Sequence, residues 1–184
     1  MDDGHSFVYT SRNGLSLLRI PSGESVELVN GPALEPRGSY DGRWIVFHSY
    51  PTPTIRQVFV AALREGLVPR EDWIPITGES GMNRNATWAP DGRRVYFLSD
   101  RDGFRCIWAQ NLDAASKRPV GNPFAVHHSH YARFALLNFI SMGNISLTAT
   151  QDRVFFAEPE ITGNIWMMEP ATFLSTPQQA RTIQ

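Results

Sequence analysis

The apolar residues of this chain fall in short runs, each closed by a turn signal, which is the punctuation of strands rather than of long helices. In "RRVYFLS" (93–99), Val95 and Phe97 take one side of an extended backbone, and Tyr96 and Leu98 take the other. In "RWIVFHS" (43–49), Trp44 and Val46 stand against Ile45 and Phe47 in the same way. A half-solvated strand would alternate apolar with polar side chains. Apolar residues on both sides predict strands sandwiched between neighbouring sheets.

The turns around these runs have a local mechanism. In "PDG", Pro90 presets φ, Asp91 can bond its own backbone, and Gly92 tolerates a positive φ. "SDRDGF" puts Asp102-Gly103 at a hairpin turn, and "RCIWAQNL" (105–112) returns as the partner strand.

The same design occurs four times, starting at Asp2, Tyr40, Pro90 and Thr150, with Asp3-Gly4, Asp41-Gly42, Pro90-Asp91-Gly92 and Asp152 as its signature. A short segment precedes each of the last three turns (36–40, 85–89 and 145–150). Another follows the second strand of the first three copies (25–29, 73–77 and 124–128). The unit is therefore four antiparallel strands. The expected architecture is all-β: a partial β-propeller of about four blades, spanning approximately 1–34, 35–82, 83–143 and 144–184, with the first and last blades incomplete.

Two segments resist the pattern. In "TIRQVFVAALREGL" (54–67), Ile55, Val58, Phe59, Ala62 and Leu63 fall at helical spacing, and only the repeat argues for a strand. "YARFALLNFISM" (131–142) has no counterpart and reads as an inter-blade loop or a short helix. Trp44, Trp88, Trp108 and Trp166 lie at repeat positions and are expected to pack between blades, whereas Trp73, in an outer strand, is free to face solvent.

"ATWAPDGRRVYFLSDRDGFRCIWAQNLD" (86–113) resembles the blade of TolB-type, WD-repeat-like β-propellers: an apolar strand, S-P-D-G, a second strand, then a polar hairpin before "IW" or "IY". Residues 38–63 resemble it nearly as well, with Tyr40 in place of the proline, and the outer copies less so. The resemblance implies one of two settings. Similar blades form the C-terminal half of bacterial regulatory proteins with a kinase or winged-helix domain in front, whose ends "TGNIWMME" (162–169) resembles. They also form the accessory propellers of prolyl-oligopeptidase-like serine peptidases. The first copy starts without an inner strand, so the chain is expected to be the C-terminal part of a larger ring, or a half-ring that self-associates through its incomplete edges.

Composition adds limits more than chemistry. Net charge is -1 and basic residues never form a run, which disfavours nucleic acid and anionic membrane surfaces as partners. No stretch approaches a membrane-spanning length, and "MDDGHSFVYT" lacks the basic start and apolar core of a signal peptide, which favours the cytoplasm. Cys106 is the one cysteine and reads as packing inside an apolar strand.

"HHSH" (127–130) sets His128 and His130 on one face of a strand, where two imidazoles suit a divalent metal. No neighbour in sequence offers a carboxylate or thiol, so the plainer expectation is a polar end of an outer strand. "SDRDG" (99–103) and the carboxylates Glu158 and Glu160 read as turn chemistry rather than a calcium site. "GESGM" (78–82) lacks the final glycine of a nucleophile elbow and reads as an inter-blade turn. No catalytic residue and no cofactor are expected. The functional expectation is a non-enzymatic platform that binds a protein or peptide through its blade loops.

Overall fold

The computed structural model describes residues 5–130 and 147–158. Its first sheet is a three-stranded antiparallel meander of β1 (Ser6–Ser11), β2 (Gly14–Arg19) and β3 (Ser25–Asn30). The second has four strands in sequence order: β4 (Ala33–Gly38), β5 (Trp44–Thr52), β6 (Ile55–Ala62) and β7 (Ile74–Pro75). The third repeats it with β8 (Arg84–Trp88), β9 (Arg94–Ser99), β10 (Cys106–Leu112) and β11 (Pro119–His127). A short pair, β12 (Thr148–Ala149) and β13 (Val154–Phe155), begins the fourth.

The Asp-Gly turns set the register of the inner pairs. Asp41 and Asp91 each accept, through Oδ1, the backbone N–H two residues on, at 3.1 and 2.9 Å. Gly42 and Gly92 follow at φ 68° and 65°, a left-handed conformation that a side chain would strain. Ser39 N–H then reaches Trp44 O, and Ala89 N–H reaches Arg94 O, closing equivalent turns in the two blades.

In the second and third sheets, side chains on the two sides of each middle strand go to different cores. Ile45, Phe47, Phe59 and Ala61 pack with Leu15, Leu17, Leu28 and Val29 between the first and second sheets. Val46, Val58 and Val60 pack with Ala86, Trp88, Val95 and Phe97 between the second and third. Leu98 and Ile107 join Leu147, with Tyr96 and Val154 beside them, on the far side of the third. Each fully buried Val, Leu or Phe contributes about 1.5–3 kcal/mol. The middle strands of the second and third sheets are thus apolar on both sides because each of these sheets serves two interfaces.

The segment with helical spacing is strand β6, as the repeat required. Trp73 does not use its freedom to face solvent: it is 7% exposed and stands edge-on to Phe47, ring centres 5.0 Å apart, with its indole N–H donating to Val68 O at 3.2 Å. Trp73 ends a 3-10 turn (Arg70–Asp72) just before the two-residue β7, and this segment lies over the first core, where an indole gains more than in water. Trp44, Trp88 and Trp108 share the core between the second and third sheets. Asp3, Gly4, Glu160, Trp166 and the segment 131–142 lie outside the described residues.

Candidate functional site

Within each blade, the turn from the second to the third strand and the exit of the fourth strand emerge at one end. The next inner strand starts from that same end. Two polar clusters gather there.

The first cluster surrounds an irregularity repeated in the inner strands. Glu35 and Asn85 occupy equivalent positions of β4 and β8, with φ of 55° and 50°, and the ladders to β5 and β9 break beside them. Such bulges turn side chains out of the sheet. Glu35 Oε2 accepts Asn85 N–H at 2.9 Å and faces His48 Nδ1 at 3.3 Å. His48 is 1% exposed, and its Nε2 lies 3.0 Å from Nη1 of Arg56. A guanidinium can only donate, so His48 Nε2 is the acceptor in this contact. Burial pulls the Glu35 carboxyl up, but the His48 ring, the Asn85 N–H and the Arg84 charge outweigh it and hold the group below its ordinary value.

Arg84, the guanidinium acting on this carboxylate, is in turn close enough to Arg56 and Arg105 for their charges to interact. Burial lowers Arg105 to about 10, reinforced by the charges of Arg84 and Arg56 and opposed by Asp100. Burial also lowers Arg84, with Arg56 adding repulsion and Glu35 opposing it. The Nε atoms of Arg56 and Arg84 are buried and have no hydrogen-bond acceptor among the described residues. Asp100 is already engaged, accepting Met82 N–H at 2.8 Å. Beside the cluster a cavity of about 450 Å³ runs along the inner strands, lined by Val8, Thr10, Leu34, Glu35, Arg37 and Asn85 among others.

The second cluster is built from two strands and a turn. Asp102 sits in the turn between β9 and β10, Cys106 opens β10, and His128 and His130 follow β11. Asp102 Oδ2 lies 3.2 Å from His128 Nδ1 and 3.1 Å from His130 Nε2, and those two nitrogens are 3.1 Å apart. Together with the Cys106 thiol, these ligand atoms all fall within 4.8 Å of one another. Cys106 is fully buried, and its Sγ accepts the Ser129 N–H at 3.4 Å. Burial pushes the thiol up, against the Ser129 N–H. The sequence offered neither carboxylate nor thiol beside the histidines; sheet pairing supplies both from about 25 residues away in the chain.

Ser129 and His127 sit next to this cluster without forming a nucleophile and base. Both hold Glu158: the serine hydroxyl donates to its Oε1, and His127 Nε2 lies 3.4 Å from the same atom. The Ser129 bond is the main cause of the lowered Glu158 value. At the opposite end a cleft of about 750 Å³ opens between the third sheet and residues 150–151, where Asp91 and Asp113 are occupied in capping turns.

No protein-family model matches the chain. Among solved structures it is similar to TolB from Acinetobacter baumannii, at 18% identity and a TM-score of 0.58, covering 88% of this chain and 37% of that one. It is also similar to a calcium-binding protein, regucalcin, from Agrobacterium tumefaciens (14% identity, TM-score 0.53, 84% and 50% covered). The β-propeller domain of the Trilobed protease from Pyrococcus furiosus matches at 18% identity and a TM-score of 0.45, with 65% and 43% covered. The chain thus spans half or less of the length of these structures. Stacked four-stranded meanders, repeated Asp-Gly turns and the likeness to TolB and regucalcin establish the fold as a partial β-propeller.

Proposed function

We propose that this chain is a non-catalytic propeller module of a larger regulatory protein, and that it serves as a docking or ligand-sensing platform for a protein or peptide. The docking face is the end that carries the β5–β6 and β9–β10 turns and the entries to the inner strands. The observation that supports this reading is the crowding of Arg56, Arg84 and Arg105, where Arg56 lowers both Arg84 and Arg105 and Arg84 also lowers Arg105, with Glu35 and Asp100 acting against them. An acidic side chain or a terminal carboxylate entering beside the inner-strand cavity relieves that repulsion and meets guanidinium groups suited to bidentate pairing.

Fluorescence anisotropy with matched acidic, neutral and basic peptides tests the reading. Acidic peptides are expected to bind most tightly and to weaken with salt, and Arg84→Ala is expected to cost at least about tenfold in Kd. Equal binding of acidic and basic peptides, or no binding at all, defeats the platform. Hydrolysis of ester or peptide substrates by the purified chain, lost in Ser129→Ala, defeats the non-catalytic assignment.

A further inference from the structure

We propose that Asp102, Cys106, His128 and His130 form a site for a thiophilic divalent ion, Zn²⁺ or a close relative, which clamps the β9–β10 turn to the chain leaving β11.

The geometry carries the argument. His128 Nδ1, His130 Nε2 and Asp102 Oδ2 form a nearly equilateral triangle with sides of 3.1, 3.1 and 3.2 Å. Without an ion these contacts are hydrogen bonds carried by histidine protons, and a bound cation takes the place of those protons between the same three atoms. The centre of such a triangle is about 1.8 Å from each corner, so an ion with bonds of about 2.0 Å rests just under about 1 Å from the plane. That is one face of a coordination tetrahedron. The Cys106 sulfur, within 4.8 Å of all three, supplies the fourth ligand.

The donor set selects the ion. Two imidazoles, a thiolate and one carboxylate oxygen suit Zn²⁺, Co²⁺ or Cu⁺ far better than Ca²⁺ or Mg²⁺, which need oxygen shells. The surroundings fit a ligand shell. Ser129 N–H points at the sulfur, as outer-shell donors to thiolate ligands do. Phe104 stacks on the His130 ring with centres 4.5 Å apart, and the edge of Trp108 meets His128 at 6.0 Å, which limits how the two rings can turn. Access is open from one side: the histidine side chains are 51% and 43% exposed, while the cysteine is fully buried beneath them. Coordination deprotonates the thiol and releases its proton to solvent. Four protein ligands leave no vacant position, so the site is structural, and it does not depend on what the neighbouring arginines bind.

Cobalt titration of the full reduced chain is the test. One Co²⁺ per chain is expected, with the visible bands of a tetrahedral ion and a near-ultraviolet thiolate charge-transfer band, all displaced by Zn²⁺. Cys106→Ser should abolish the charge-transfer band. His130→Ala should raise the Kd by more than about 100-fold, beyond the loss of an outer-shell partner. Zinc should raise the melting temperature of the wild-type chain and not that of Cys106→Ser. Should a variant fail to fold, the wild-type spectrum and its zinc competition decide alone. The proposal falls if the wild-type chain, with Cys106 shown to be reduced, gives no thiolate band. In that case the triangle is a hydrogen-bonded network in which histidine protons fill the centre. It falls equally if the band survives in a folded Cys106→Ser chain.

Discussion

At the scale of single residues, turns and clusters differ in how they can be read. The Asp-Gly turns are legible because every participant lies within four residues, and the backbone bonds of Asp41 and Asp91 are those their spacing implies. The Asp102–Cys106–His128–His130 cluster is not, because its halves are joined by strand pairing. One signal was available: once a blade is assigned, the second turn and the end of the fourth strand must share an end. Two predictions belong at this scale. Gly14 has φ 146°, and a Cβ there would lie 2.1 Å from Val29 O, whereas a Cβ on Gly23 at φ 69° meets nothing within 4 Å. Urea denaturation should therefore show Gly14→Ala losing at least ~2 kcal/mol and Gly23→Ala about 1 kcal/mol. Equal losses would mean that the β2–β3 register is not as described. The second concerns pH. Burial acts to raise the Asp41 carboxyl, but Ser39 and Arg43 more than offset it and bring the group down to about 2. A lowered folded value means the contribution is complete above the unfolded value of about 3.9 and is lost as pH falls towards 2. Asp41→Asn should flatten stability against pH across that acid window, and an unchanged profile would remove the assigned cause.

At the scale of elements, β6 shows why periodicity misleads inside a propeller. A strand buried on both sides has no polar face to mark its period, so apolar residues at helical spacing occur by composition alone. Val58 and Val60 face one core, and Phe59 and Ala61 the other. The repeat resolved what the residues could not, because a pairing partner exists only for a strand. Trp73 escaped the same logic. Its burial comes from the segment before β7 lying over the first core, which no repeat position encodes. Inner strands are held across blades by specific bonds as well as by packing. Trp88, 1% exposed, donates its indole N–H to Arg37 O at 3.1 Å, tying β8 to β4. Trp88→Ala is expected to cost about 3–5 kcal/mol in denaturant unfolding. Trp88→Phe should cost about 0.5–1.5 kcal/mol, since it keeps most of the volume and loses only the hydrogen bond to Arg37 O. If both cost the same, the bond rather than the volume dominates, and the inter-blade core is less tightly filled than its burial indicates.

At the scale of the molecule, the sheets stack as neighbours, each core shared by two of them, so stability should follow the number of neighbours a sheet has. The second sheet buries both faces, against the first and the third, and the third packs on the second and on Leu147 and Val154. Among the described residues the first sheet contributes to one core only. The middle strands β2, β5, β6, β9 and β10 are each hydrogen-bonded on both edges, so edge pairing alone would protect them alike. Core packing would not. Native-state hydrogen exchange separates the two: amides of β5, β6, β9 and β10 should exchange most slowly, with β2 opening at lower free energy. A common opening free energy across all five strands would show instead that the sheets unfold as one cooperative body. The zinc-type ligand set then gives the pattern a further handle. An ion joining the β9–β10 turn to the end of β11 should slow exchange in the third sheet, and leave β2 as it was.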